Sequence, residues 1–276
     1  MRRETAHRLR ILVAGSFLLN CLVPNALGQT PTRKATVISE ADGKVRVAAD
    51  DPRPLDRALD ALQGKYGWRI NYEDPQYISK LDLADPKASS EGRPEPGGGS
   101  FVVEFPATPN TTPDEQKTLQ IIVDAYNQSK NPGRFELRHG DPEQFDVVAT
   151  AAHDEKGNLS KQEIVLDLPV MIPSGDRTVA ETVDLICQKV AEKSHIAVAL
   201  GVHPMGLDRQ HATIGGKEMP ARAYISATTE PTGRKISWRL LYDPDSKSYV
   251  LNLHQTRVPP PPKPPTPSPA PSSAPR

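Results

Sequence analysis

The same order of elements occurs twice along this chain, and that doubling limits the fold more than any other feature. The first pass opens on Lys44-Val45-Arg46-Val47, a short alternating strand. Leu55, Ala58, Leu59, Leu62 and Tyr66 then recur at helical spacing. Pro54 suits the first turn of that helix, and Gly64 and Gly67 end it. Trp68-Arg69-Ile70-Asn71-Tyr72 reads as a strand, and residues 101–105 as another. Thr112-Pro113-Asp114-Glu115 predicts a helix start, with a threonine cap, proline at the first position and glutamate at the third. Leu119, Ile122, Val123 and Tyr126 give that helix its apolar stripe. Strands over 134–140 and 145–152, turned by Asp141-Pro142, close the pass.

The second pass repeats the order. A strand is expected over 163–170, then a helix opened by the capping box Thr178-Val179-Ala180-Glu181, with Val179, Val183, Ile186 and Val190 inward. Strands over 195–202 and 212–215 follow, then a helix over 220–229 carrying Ala221, Tyr224 and Ile225 on one face. Ile236, Trp238, Leu240 and Tyr242 alternate, Asp243-Pro244 turns, and Tyr249, Leu251 and Leu253 alternate back. The expected fold class is therefore α+β. Two small units, 44–158 and 159–255, each have a mixed sheet, two helices and a closing β-hairpin. The first unit carries a loop over 85–100 whose Pro, Gly and Ser content reads as too polar to pack.

The ends of the chain read differently. Residues 1–28 have the parts of a cleavable export signal: Arg2, Arg3, Arg8 and Arg10, an apolar run over 11–23, the breaker Pro24, and Ala26-Leu27-Gly28 before Gln29. The apolar run is shorter than the roughly 20 residues that span a bilayer. An uncleaved anchor is the alternative; a lipid attachment at Cys21 is disfavoured by Asn20. Residues 29–43 read as a linker. Residues 256–276 form a proline-rich tail, and without amide hydrogens its prolines cannot ladder into a sheet. The expected location is the periplasm or the exterior, with no membrane span after cleavage.

Removing the signal leaves 30 basic against 33 acidic residues, a balance that argues against nucleic-acid binding, which draws on phosphate neutralisation. Cys187 is then the one cysteine, so no intramolecular disulfide forms, and its place in an inward-facing helical run predicts a buried, inert thiol.

The pattern resembles the STN domain, the short N-terminal domain of secretins and of signalling TonB-dependent receptors. The residues that carry it are Pro54-Leu55, Leu59 and Leu62 before Trp68–Tyr72, and Val179, Val183 and Ile186 before Ile196–Val198. Ala221–Ile225 and the hairpin from Trp238 to Leu253 complete it. The resemblance covers much of 44–254. It implies a binding module with no catalytic residues, cofactor or metal, whose partner is an envelope protein. The chain has no secretin pore or receptor barrel, so neither pore formation nor uptake follows.

Other chemistry is weakly signalled. His203, Asp208 and His211 lie close in sequence, but no helix fixes their spacing and no third strong ligand is near, so a solvated loop is expected in place of a metal site. His153-Asp154-Glu155 beside Gly157 reads as a turn. Gly97-Gly98-Gly99 lacks the strand before and helix after that a phosphate cradle needs. Asp82 and Asp85 read as solvated loop charges, and Trp68 and Trp238 as core. No catalytic, cofactor or metal residue is assigned. An interaction module is expected; a wall-associated protein bound through its tail, or an envelope hydrolase, are the alternatives.

Overall fold

The computed structural model describes residues 34–85, 92–108, 111–140 and 144–257. The segment 1–28 read as an export signal, the turn expected at Asp141-Pro142 and the proline-rich stretch from 258 onward lie outside them. The described residues form an α+β fold.

Strand β1 (Lys34–Ala41) turns back into β2 (Lys44–Asp50), which pairs on its other side with β4 (Ser100–Pro106), all antiparallel. Much of the expected linker is thus a strand. The missing signal was the exposure of Val37, which breaks the apolar alternation of β1. Between β2 and β4 run helix α1 (Pro54–Tyr66) and strand β3 (Ile70–Glu73). Pro54 occupies the first helical turn, and Gly67 ends the helix with φ 71°, donating its N–H to Gln63 O.

Helix α2 (Glu115–Gln128) begins later than its sequence suggests. Asp114, not Thr112, is the cap: its carboxylate accepts the Lys117 N–H at 2.8 Å. Strands β5 (Arg134–His139) and β6 (Phe145–His153) follow, then β7 (Leu159–Lys161). The strand expected over 163–170 is instead a short 3-10 turn, Val165–Asp167, and the three-residue β8 (Pro169–Met171). Val165 and Leu166 are both buried, and both donate N–H to the Glu73 carboxylate, which draws the chain into the turn.

Strand β9 (Gly175–Thr178) leads into α3 (Val179–Ser194), where Thr178 and Glu181 form the expected capping box. His195 ends α3 in the left-handed region, so only β10 (Val198–Leu200) remains of the strand expected over 195–202. Then come β11 (His211–Ile214), β12 (Glu218–Pro220), α4 (Ala221–Thr229) and the hairpin β13 (Ile236–Asp243) with β14 (Ser248–Gln255). Two ribbons, β9–β11 and β8–β12, flank the second pair of helices.

The principal sheet has the order β10-β14-β13-β3-β6-β5, with β7 also paired to β6. Strand β3 pairs in parallel with β6 on one side and β13 on the other, so the sheet is continuous across residue 159. The two cores lie on opposite faces of it. Tyr72 and its register partner Arg239 face α1, whereas Glu73 and its partner Leu240 face the α3–α4 side. Val45, Val47, Leu59, Leu62, Phe105, Ile122, Tyr126 and Val147 belong to the first core. Val183, Ile186, Tyr224, Trp238, Leu240 and Leu251 belong to the second. Each fully buried side chain of this kind contributes about 1.5–3 kcal/mol. Trp68 and Trp238 are core residues, as expected.

The loop over 85–100 corrects its expectation in part. Residues 92–99 form a packed strap: Ala84 N–H donates to Glu95 O, and Gly97 N–H to Asp82 O. Glycine permits the approach, since a Cβ on Gly98 would lie 2.3 Å from Pro52 O.

Candidate functional site

The strongest concentration of charge is inside the protein, where β3 meets β13. Arg222, on α4, reaches three carboxylates: Asp146 at 2.8 Å, Asp167 at 2.5 Å and Glu73 at 3.2 Å. Its guanidinium also lies 5.7 Å from the Trp238 ring centroid. Asn71 links the same cluster to β13, donating to Asp146 at 2.7 Å and accepting the Trp238 N–H at 2.9 Å. Burial pushes the Glu73 carboxyl up to about 7, although Arg222 and two backbone N–H groups pull the other way.

Two further clusters stitch the same seam. Asp74 accepts from Arg53 Nε at 2.6 Å, from the hydroxyls of Tyr72 and Tyr77, and from Tyr242 N–H at 3.0 Å. Arg239 Nε sits 2.8 Å from Asp56 Oδ1. Burial raises the Asp56 carboxyl against the opposing pull of Arg239. These ion pairs and hydrogen bonds join residues of the two halves and fix them in register.

Beside the Arg222 cluster a groove of about 900 Å³ opens over β5, β6 and β7. Its charges interleave: Arg138 bonds Glu136 and Asp167, and Lys161 and Glu163 stand opposite. No described histidine or cysteine lines it; the hydroxyls at its wall are those of Thr150 and Ser160.

His203, Asp208 and His211 are not brought together. His211 Nδ1 is 3.3 Å from Asp176, Asp208 accepts the Gly206 N–H, and His203 Nδ1 lies 3.3 Å from the neighbouring Pro204 O. Among the described residues no group of three metal-ligating side chains forms. Cys187 is buried, and burial pushes its thiol up to about 12, as expected of an inert cysteine.

Asp82 and His153 correct the sequence reading. Asp82 is 1% exposed, not a solvated loop charge; its Oδ1 lies 2.7 Å from His153 Nδ1 and its Oδ2 accepts the His153 N–H at 2.9 Å. The pair clips the segment around Leu81 onto the end of β6. The turn at Asp154 is as expected: its carboxylate accepts the N–H groups of Lys156 and Asn158.

The surface most able to engage another molecule is the outer edge of β4. The N–H of Ala107 donates to Gly43 O in the β1–β2 turn, so the odd residues of β4 turn their amides toward β2. Ser100 O, in the opposite phase, accepts from Asn131 Nδ2 at 3.4 Å. Val102 and Glu104 share that phase and direct N–H and C=O outward, without a backbone partner among the described residues. At the C-terminal end of β4 lies a groove of about 550 Å³ toward α2, lined by Phe105, Pro106, Thr108, Thr111, Thr112, Lys117, Thr118 and Ile121 among others. Val102 is 46% and Ile121 39% exposed. A free strand edge is a template for strand addition.

The resemblance to STN domains finds no counterpart in comparison: no family model, curated protein or solved structure matches this chain.

Proposed function

We propose that this chain is an exported, non-enzymatic interaction module of the bacterial cell envelope, which binds a protein partner through STN-like halves. The observation that carries the reading is the outer edge of β4, where the backbone of Val102 and Glu104 is left open beside the α2 groove. The seam adds support. The sheet continuous through β3 and β13 is held by Arg222, Asp74 and Arg239, and the separate β1-β2-β4 sheet that bears this edge packs on its first core, so the edge is formed before a partner arrives. The arrangement of polar groups supports binding over catalysis, because the buried charges are mutually paired.

The test is crosslinking capture of the mature protein in its native envelope, followed by mass spectrometry. The reading expects one abundant envelope protein in the adduct. Recovery of the folded protein with no macromolecule attached would overturn it and move attention to the cell wall or a small ligand.

A further inference from the structure

The β4 edge also states what kind of segment it takes, an inference that rests on the module reading above. Four backbone groups, the N–H and C=O of Val102 and Glu104, face outward and set the length of ladder available. The ladder stops at both ends. Asn131 already occupies Ser100 O and also accepts the Gly99 N–H, in the manner of a neighbouring strand. Pro106 has no N–H to offer. A guest therefore needs about five extended residues with their own amide hydrogens.

Its side chains must alternate. Those beside Val103 and Phe105 lie on the inward, buried face of β4, and the one beside Phe105 meets the groove at Thr118 and Ile121, so apolar side chains suit both. Those beside Val102 and Glu104 stand on the outward face. There Glu104 Oε1 is held 3.2 Å from Arg46 by an exposed ion pair, which competes weakly for the carboxylate. A lysine beside Glu104 extends this row of alternating charge, while a glutamate there meets a like charge.

We propose that β4 receives an extended segment of a partner protein, with apolar side chains at every second position and a basic residue opposite Glu104. The proline-rich tail of this chain is a poor guest, because most of its residues lack the amide hydrogen the ladder needs.

The probes are two acetylated, amidated heptapeptides of alternating valine and threonine. One carries a central lysine on the threonine face and the other a glutamate there, and binding to the full mature chain is read by fluorescence anisotropy. The lysine peptide is expected to bind about threefold or more tighter than the glutamate peptide, and Glu104→Gln to erase that preference. Val102→Pro removes an outward N–H and leaves the bonds to β2 in place, as proline is tolerated on an outer edge. It is expected to weaken binding at least about tenfold. An N-methylated lysine peptide gives the same test on the unaltered protein, should Val102→Pro fail to fold, and is expected not to bind.

Equal binding of the two peptides, undiminished binding of the N-methylated one, or no binding of either peptide overturns the proposal. If the peptides fail while envelope crosslinking finds a partner elsewhere on the chain, this inference falls and the module reading stands. If the peptides bind but the envelope yields no partner, the module reading falls instead.

Discussion

Replacing Glu73 with glutamine tests the reasoning about the seam more sharply than deleting any apolar side chain. Glu73 is 1% exposed; its Oε1 accepts N–H groups from Val165 at 2.6 Å and Leu166 at 3.3 Å, and its Oε2 lies 3.2 Å from Arg222. Arg222 is shared with Asp146 and Asp167, so its charge is divided among three carboxylates. Burial therefore prevails, and the carboxyl is pushed up to about 7 from its ordinary 4.5. The folded protein holds this proton more tightly than the unfolded chain. The contribution to stability is complete below about pH 4.5, declines as pH rises, and is gone above about pH 7. At 1.36 kcal/mol per pH unit that decline amounts to about 3 kcal/mol. Glutamine keeps an oxygen for the two N–H groups and cannot ionise. Urea unfolding of both proteins at intervals from pH 4.5 to 7.5 reads the effect of the cluster, because titrating groups away from it cancel in the difference. The wild type is expected to lose about 3 kcal/mol relative to Glu73→Gln across that window. Parallel curves, or a wild type that gains on the variant as pH rises, would refute the account of the cluster.

Two further substitutions probe local structure. Thr178→Ala removes the cap oxygen that accepts the Glu181 N–H at 3.1 Å and should cost about 1 kcal/mol in chemical unfolding, with Thr178→Ser recovering most of it. Gly98→Ala places a methyl group 2.3 Å from Pro52 O and should cost about 1–3 kcal/mol, with faster amide exchange at Ala84 and Gly97, whose bonds hold the strap.

The elements with clear periodicity were legible in the sequence, and the reasons are specific. Helix α1 has five apolar positions on one stripe between Pro54 and Gly67, and α3 has a capping box at its start; both lie where expected. The β13–β14 hairpin announced itself through two alternating runs around Asp243-Pro244. What the sequence concealed was the wetness of each face. In Ile70-Asn71-Tyr72-Glu73 the polar residues alternate with apolar ones as on a half-exposed strand, yet all four are buried, because α4 and the 3-10 turn cover the second face. Alternation reports that two faces differ, not that one meets water. Arg222, between Ala221 and Tyr224, carries no local signal of its role, because its partners Glu73, Asp146 and Asp167 come from three distant segments. The Asp82–His153 pair spans 71 positions and had no local signal at all. The open edge of β4 was likewise invisible, since a strand's pattern of residues does not state whether a neighbour lies beside it.

The most direct test of the central claim is site-specific photocrosslinking in the native envelope, with the reactive group placed at Val102 on the β4 edge and, separately, at the exposed Val202. Strand addition predicts an adduct with one protein from position 102 and none from position 202. An adduct from 202 with nothing from 102, or silence at both, would contradict the claim that this edge is where the protein meets its partner.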